Sequence, residues 1–489
     1  MLNNCQVAVH VQKGCYYSDI APYNAPHGYP EYQFKNSYDN KNHVYESVRN
    51  CFHMLGLDAE NFGKANWNPL GLIINPGETV VIKPNMIAHS HKYKDDWEYV
   101  ITHGSVIRAV LDYVYIALRG KGRIVIADAP QEDSHIELIK QRVGIEAIQE
   151  FYWREKRFEV EFLDLRYRYI TGKDGICLDE VRLKGDPLGS VRVNLEKHSY
   201  FSEHDGLNKR YYGSFYDIEE TNRHHSNGVH EYMVSRSVLE ADVFISVPKL
   251  KTHKKVGVTL NLKGLVGINS SKNWLPHYAI GSPEENGDQF PAKSLRTKFE
   301  NNLVLLAKKM LLNKIPLVQL AARKLKPLGY RIFGDTEKVI RSGNWFGNDT
   351  CWRMVLDLNR ILLYAATDGK LRSSVKRYFS VVDGIIGMDG DGPVTGNPKP
   401  AGLIVAGCNP AAVDVVCASL MGFDYCKIPM LYRAFDKSSY PLAKFYPDDI
   451  SVISNKGELQ AALQTLSQSH FLDFEPHFGW KGHIESGRC

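Results

Sequence analysis

The chain has 489 residues, more than one compact core of ordinary size holds, so we expect a main domain with large insertions or two domains. Its 60 Lys and Arg residues and 55 Asp and Glu residues give a formal net charge of only +5. The basic residues are spread along the chain rather than gathered in an arm, which argues against nucleic acid as the principal partner.

The amino-terminal residues and the cysteines indicate a soluble, cytoplasmic protein. The first residues lack a basic stretch followed by an apolar core, and the sequence has no run of about eighteen apolar residues. The nine cysteines include no C-x-x-C pair. This pattern favours reduced thiols and argues against a zinc ribbon or an iron–sulfur cluster carried by this chain.

The first predicted segment, residues 1–74, is irregular and rich in Tyr and Pro. Within it, residues 14–42 show neither helical nor alternating periodicity, which predicts a surface loop packed by its tyrosines. We expect the α/β core to begin at the turn at residues 75–77, which leads into a β-branched run at 79–82.

Apolar strands and amphipathic helices then alternate along the chain. The pattern predicts strands at 79–82, 123–127, 158–163, 242–247, 378–382 and 403–406, and helices at 105–118, 134–152 and 411–421. Alternation of this kind predicts an α/β fold, with a mostly parallel sheet flanked by helices in Rossmann-like layering. The expected core has two parts, 75–290 and 346–440, with a peripheral β-rich excursion at 165–221 and a C-terminal segment at 441–489.

A basic amphipathic helical insertion is predicted at residues 291–345. Its apolar residues recur at helical spacing between Leu295 and Leu317, lysines and arginines occupy other positions, and Pro316 is expected to break or kink the run. Two interpretations remain open. The favoured one is an insertion packed on its own domain, and the other is peripheral contact of residues 295–328 with an anionic membrane.

Polar side chains follow four of the predicted strands. The strand ends carry Lys83, Asp128, the segment Lys249 to His253, and Asp383. Ligands bind beyond the carboxyl ends of parallel strands, so we expect these residues to converge on one rim. Any one of them alone would more often be a solvated loop residue or a helix cap.

The charges on this rim predict an anionic small-molecule substrate. Ammonium groups in a partly desolvated crevice repel one another unless an anion offsets them. Crowding also lowers the pKa of a lysine such as Lys249 and makes it a candidate base or nucleophile. His253 is the candidate general acid or base, with Asp383 as the third predicted catalytic residue.

The glycine-rich loop at residues 387–393 contains Asp389 and Asp391, whose carboxylates offer oxygen ligands to a divalent metal such as Mg²⁺. A hairpin or a substrate-capping loop is the alternative interpretation. His230 and His277 are expected to meet His253 across the crevice, although their spacing is only a weak metal signal.

Several motifs in order resemble the domain-of-unknown-function family 362. They are VVIKPN (80–85), IVIADAP (124–130), ADVFISVPKLKTHKKVGVTLNLKGLVG (241–267), VVDGIIGMDGDGPVTGNPKPAG (381–402) and AGCNPAAVDVVCASLMG (406–422). The resemblance implies an α/β fold. It places family motif positions on Lys83, Asn85, Asp128, Lys249, Lys251, His253, Lys263, Asp383, Asp389, Asp391 and Asp414.

The segment GNWFGNDTCWRMVLDLNRILLYA (343–365) resembles the longer members of this family, which accompany polysaccharide and envelope biosynthesis. That motif contains Asn348, Asp349, Arg353 and Asp357. The resemblance implies that Asn348 and Arg353 bind substrate. Some members are fused to iron–sulfur modules, whereas this chain has no cysteine quartet.

Three functional hypotheses follow. The first is an enzyme acting on a phosphorylated or carboxylated metabolite, with lysines binding the anion and His253 moving a proton. A P-loop kinase and a standard NAD dehydrogenase are disfavoured, because neither a P-loop nor a G-x-G-x-x-G after a strand occurs. The alternatives are an accessory redox protein with an iron–sulfur partner and a membrane-surface scaffold.

Overall fold

The computed structural model of the protein describes residues 1–173, 176–312, 314–334, 337–466 and 472–486. Within these residues a central sheet contains ten strands. In chain order they are β1 (Gln6–Val11), β2 (Thr79–Pro84), β3 (Arg123–Asp128), β4 (Val160–Asp164), β5 (Val243–Val247), β6 (Lys249–His253), β7 (Gly257–Val258), β8 (Arg377–Asp389), β9 (Asn397–Gly407) and β10 (Ser451–Ser454).

The strands lie in the order β10-β1-β9-β8-β5-β2-β3-β4, and β6 pairs with both β7 and β8. From β8 to β4 every neighbouring pair is parallel, and β9 runs antiparallel to both β8 and β1. The sheet is therefore mostly parallel, as predicted. The strand ends that carry polar residues belong to β2, β3, β5 and β8, which are direct neighbours.

Helices cover both faces of this sheet. The longer helices of the chain are α1 (His43–Met54), α2 (Gly104–Leu118), α3 (Ile136–Val143), α4 (Ile145–Lys156), α6 (Leu295–Leu312), α7 (Pro316–Phe333), α8 (Cys351–Tyr364) and α9 (Pro410–Met421), and the short α5 (Leu260–Gly264) follows β7. Of these, α6 and α7 lie outside the layers that cover the sheet. Successive strand residues point to opposite faces. Ile82 and Ile245 pack with α1, α2 and α4, whereas Val81 and Phe244 pack with α8 and α9. The α/β prediction with Rossmann-like layering is confirmed.

The structure corrects the prediction that residues 1–74 are irregular throughout. Residues 12–42 contain no helix or strand, but β1 lies inside the central sheet and α1 packs beside it. The strand β1 pairs Val7 with Gly407 on one side and with Val452 on the other. The alternating valines of QVAVHV are a short strand signal, but partners so distant in the chain give no local sign that the run lies inside the central sheet.

The predicted helix at 134–152 is in fact two helices, because Gly144 separates α3 from α4 with a left-handed backbone at φ +71. The predicted peripheral excursion contains a hairpin, Arg168–Lys173 with Ile176–Arg182. It also contains the strand Ser190–Asn194, which pairs with Val229–Ser235. These are small antiparallel sheets outside the central one.

The helical insertion consists of α6 and α7, and the predicted break falls where expected, since α7 begins at Pro316. The insertion is attached to the rest of the chain, since Leu311 is buried and Lys308 lies over the ring of Tyr212. Much of the apolar stripe of α6 is nevertheless exposed, with Leu295 at 89% and Phe299 at 65%. Packing on its own domain therefore describes one side of α6 but not the stripe. Among the described residues, no helix has both the length and the apolar character needed to cross a membrane.

Candidate active site

A cavity of about 40 Å³ lies beyond the carboxyl ends of β2 and β3, under β6 and α5. That volume suits a few water molecules or one small oxyanion. The polar side chains that line the cavity are those of Lys83, Asn85, Asp128, Lys251, His253, Thr259 and Lys263. The structure thus brings together six of the residues that the sequence predicted and adds Thr259.

The floor of the cavity is an ion pair between two neighbouring strands. The Nζ atom of Lys83 lies 2.8 Å from Oδ1 of Asp128, and both side chains are buried. The other carboxylate oxygen of Asp128 accepts a hydrogen bond from the backbone N–H of Met86 at 2.7 Å. A Cβ atom on Gly267 would lie 1.8 Å from Asp128 Oδ1, so only glycine permits this close approach of the backbone.

The strand β6 carries Lys249, Lys251 and His253 at alternate positions, which puts all three on one side of the strand. Lys251 Nζ donates to the carbonyl oxygens of Val100 at 2.7 Å and Pro393 at 3.2 Å. Burial, reinforced by the neighbouring lysines Lys249 and Lys263, holds the pKa of Lys251 well below its usual range. A neutral amine has two N–H groups, so these two carbonyls occupy both donors and leave the lone pair free.

His253 is a neutral hydrogen-bond donor in this arrangement. Its Nδ1 atom accepts a hydrogen bond from the backbone N–H of Lys255 at 3.1 Å. Burial and the surrounding lysines, first Lys263, hold the pKa of His253 well below its usual range. The neutral ring therefore carries its proton on Nε2, and this donor belongs to a side chain that lines the cavity.

Lys263, on α5, is the cation without a partner. Its side chain is buried, and among the described residues it has no hydrogen bond and no ion pair. Burial lowers its pKa, and the charge of Lys83 lowers it further. Two more lysines lie close by, the buried Lys272 and the half-buried Lys255, and desolvation is the main reason that each has a pKa of about 7.

Lys249 and Asp383, both predicted as catalytic, lie in a separate polar cluster outside the lining of the cavity. Their side chains are 0% exposed, and Lys249 Nζ lies 3.0 Å from Asp383 Oδ2. The hydroxyl of Tyr17 donates to Asp383 Oδ1 at 2.6 Å and accepts from Lys249 Nζ at 2.6 Å. The backbone N–H of His103 completes the cluster by donating to Asp383 at 3.0 Å. This closed network indicates a structural role.

Asn348 and Arg353, predicted to bind substrate, also lie outside the lining of the cavity. The side-chain oxygen of Asn348 accepts from the backbone N–H groups of Thr350 and Cys351 at the start of α8. Arg353 forms ion pairs with Glu203 at 2.7 Å and with Asp349, four residues before it, at 3.1 Å. Both residues therefore hold α8 in place.

Asp357 and Asp414, the other helix carboxylates of the motifs, are structural as well. Asp357 does not pair with Arg353, because it accepts hydrogen bonds from Ser199, Tyr200 and Tyr232. Asp414, inside α9, accepts from the backbone N–H groups at the start of α5. It thereby fixes the short helix that carries Lys263.

The glycine-rich loop forms the hairpin between β8 and β9, one of the two interpretations that the sequence left open. Asp389 lies 3.8 Å from Lys399, and Asp391 accepts from the backbone N–H of Phe478 at 3.2 Å. Within the ranges that the structure covers, no group of three or more His, Cys, Asp and Glu side chains is arranged to hold a metal. The loop contributes Pro393 to the cavity instead.

The three histidines expected to meet across the crevice do not all meet. His277 lies near Lys263, whose charge lowers the pKa of this histidine in addition to burial. His230, however, lines a second cavity of about 240 Å³, together with His204 and His225. The predicted meeting of His230 with His253 is wrong, because His230 belongs to the outlying strand Val229–Ser235.

Sequence reasoning missed Tyr17, His103 and Lys272. Tyr17 and His103 lie in segments without periodicity, and only the tertiary fold brings them to Asp383. Lys272 donates to the carbonyl of Val266 at 2.8 Å, behind the cavity wall. Its position after the LKGLVG motif was the one signal that pointed to it.

Substitutions of Lys249 and of His253 test which of the two residues stabilises the fold. Lys249→Ala leaves the Asp383 carboxylate buried and unpaired, so we expect a loss of about 3–5 kcal/mol in the free energy of unfolding, measured with urea. His253→Ala removes one hydrogen bond beside an existing cavity and should cost less than about 1 kcal/mol. The double variant Lys249→Met/Asp383→Asn should be more stable than Lys249→Ala. Equal stabilities of the two alanine variants would contradict the assignment.

Comparison with known proteins finds a family model that matches part of the chain. The family model described as a domain of unknown function, DUF362, matches residues 192–419. No curated protein matches the chain. The matched part contains Lys251, His253 and Lys263, whereas Lys83 and Asp128 precede it. This match supports the DUF362 family for the chain, in agreement with the motifs in β5, β6, α5 and β8.

Proposed function

We propose that this protein is an enzyme that acts on a small molecule carrying a phosphate or carboxylate group, bound in the cavity beyond β2 and β3. The observation that carries the proposal is the buried amine of Lys263, which has no hydrogen-bond or ion-pair partner among the described residues and lies near the Lys83–Asp128 ion pair. A buried cation without a partner is costly, and an anionic ligand is what offsets that cost. The cavity volume limits the buried part of the ligand to the anionic group.

The proposed roles follow from the hydrogen bonds of each residue. Lys263 binds the anion directly, and the Nε2–H group of neutral His253 donates a second hydrogen bond to it. Lys251 is the base or nucleophile, because its lowered pKa and its two occupied N–H donors favour a free lone pair. His253 in this tautomer stabilises charge on the ligand rather than removing a proton.

The wider context of the substrate also stays a proposal. The resemblance of residues 343–365 to the longer members of the family supports a role in polysaccharide or envelope biosynthesis, with a phosphorylated or acidic sugar as substrate. The absence of C-x-x-C pairs supports a cytoplasmic location. A divalent metal such as Mg²⁺, if used, would be held by the substrate phosphate together with Asp128, the one carboxylate in the cavity lining.

Lys263→Met tests the anion site. We expect this variant to lose at least about tenfold in affinity for inorganic phosphate in isothermal titration calorimetry, because the unpaired cation is gone. Its melting temperature should stay the same or rise, since a buried unpaired charge has been removed. The matched control is Lys376→Met, another largely desolvated lysine, which donates to the carbonyl of Leu239 away from the cavity. Unchanged phosphate binding by Lys263→Met would contradict the proposal.

The affinity for sulfate should fall as the pH rises above about 7. Lys255 and Lys272 have pKa values of about 7, and a bound dianion favours their charged forms and raises these values. Binding is then accompanied by proton uptake and is tightest where both lysines are already protonated, below pH 7. Titration calorimetry near pH 8 in two buffers of different ionisation enthalpy measures the uptake. Proton release, or affinity independent of pH between 6 and 9, would contradict this account.

A further inference from the structure

The helices α6 and α7 form an exposed hairpin, residues 291–334, which we call the basic hairpin. In the part of the chain that the structure describes, 25 large apolar side chains are exposed, and 11 of them belong to this hairpin. They are Leu295, Phe299, Leu303, Leu306, Met310, Leu312, Ile315, Leu317, Leu320, Leu325 and Ile332. Exposed apolar residues concentrated in one segment indicate an interaction site, whereas single exposed apolar residues scattered over a surface do not.

Positive charge is concentrated in the same hairpin. Residues 291–334 contain ten Lys or Arg residues and one acidic residue, Glu300. The rest of the chain contains 50 basic and 54 acidic residues, so the hairpin accounts for all of the positive excess. The hairpin therefore attracts anionic surfaces, although most of the basic residues lie elsewhere in the chain.

Five of the six exposed apolar residues of α6 form one stripe bordered by cations, and the sixth, Leu312, lies off it. Leu295, Phe299, Leu303, Leu306 and Met310 recur at intervals of three or four residues, which puts them on one face of the helix. At about 100° per residue, Lys298 and Lys309 fall along one border of that stripe and Arg296 along the other. An apolar face with lysines and arginines at its edges is the arrangement of helices that lie in a membrane interface.

The opposite side of α6 attaches the hairpin to the body of the protein. Lys308 Nζ lies 3.5 Å from the ring centroid of Tyr212, and Leu311 is buried. Glu300 forms an ion pair with Arg341 at 2.7 Å, which neutralises the single acidic residue of the hairpin. The side of α6 that carries Lys308 and Leu311 is therefore occupied, and the stripe faces largely outwards, with Leu306 also bordering a cavity beside Tyr216 and Ile218.

We propose that the basic hairpin docks this protein on the surface of a membrane that contains anionic lipids, with the apolar stripe of α6 inserted at the headgroup boundary. The lysines and arginines then contact anionic headgroups while the apolar stripe is removed from water at the headgroup boundary. Nucleic acid would satisfy the charges but leave the apolar stripe in water. A second copy of the hairpin would cover the stripe but bring two strongly basic surfaces together.

Co-sedimentation with vesicles tests the docking. We expect the full chain to bind phosphatidylcholine vesicles that contain about 30% phosphatidylserine, and to bind pure phosphatidylcholine at least about tenfold more weakly. Binding should decrease when the salt concentration is raised from about 0.05 to 0.5 M, because salt screens the lysines. Absence of binding to the anionic vesicles at low salt would overturn the proposal.

Two sets of variants identify the surface that binds. Phe299→Glu/Leu303→Glu should lose at least about tenfold in vesicle binding, whereas the control Leu72→Glu changes a side chain that is 83% exposed elsewhere and should bind normally. Lys298→Glu/Lys309→Glu should lose binding too, and Lys121→Glu should not. Equal binding by variants and controls would overturn the proposal. So would a concentration-dependent dimer that only Phe299→Glu/Leu303→Glu abolishes, because a second copy would then cover the stripe.

Discussion

Three buried lysine side chains, those of Lys83, Lys251 and Lys263, line one small cavity whose described lining contains one carboxylate, that of Asp128. Two unit charges about 4 Å apart repel by roughly 4 kcal/mol at an effective dielectric constant near 20, so this arrangement needs compensation. The carboxylate of Asp128 neutralises Lys83. Lys251 has a lowered pKa, and its amine donates to two carbonyl oxygens. The pKa of Lys263 is lowered as well, but its amine has no carboxylate or carbonyl partner among the described residues, and the proposed anion would supply that partner.

The surrounding fold fixes the positions of these buried lysines around the cavity. Asp414 fixes the start of α5, and with it Lys263, through backbone N–H groups. Gly267 lets the next turn of the chain approach the Lys83–Asp128 pair closely. The Lys249–Asp383 pair, closed by Tyr17, anchors the beginning of β6, so that Lys251 and His253 follow on the same side of the strand. The Lys249–Asp383 pair and the cavity residues Lys251 and His253 are therefore held by the same short strand, β6.

The sequence allowed the α/β class and the gathering of strand ends to be predicted, because parallel strands and their polar ends leave local signals. It placed Lys83, Asp128 and His253 together for the right reason. It did not separate Lys249 and Asp383 from the cavity, since a one-dimensional pattern does not show which of two adjacent polar residues becomes fully enclosed. Tyr17 and β1 were missed because their partners lie hundreds of residues away. Periodicity showed that α6 has an apolar stripe but not which side of the helix the rest of the chain covers.

The basic hairpin and the cavity lie close to each other, although the proposals about them are separate. Glu337, just after the hairpin, forms ion pairs with Lys92 at 2.9 Å and with Lys254 at 3.2 Å, and Lys254 adjoins His253. Lys255, next along the chain, lowers the pKa of Lys308 on α6 in addition to burial. Membrane docking through α6 would therefore act beside the residues that line the cavity, although anion binding does not require it.

The most direct test of the central claim is a crystal structure of the protein soaked in tungstate, a tetrahedral oxyanion with a strong anomalous signal. The account predicts an anomalous peak in the cavity, within hydrogen-bonding distance of Lys263 Nζ and His253 Nε2. A cavity without a peak, in crystals where tungstate occupies other basic positions such as those of the hairpin, would contradict it.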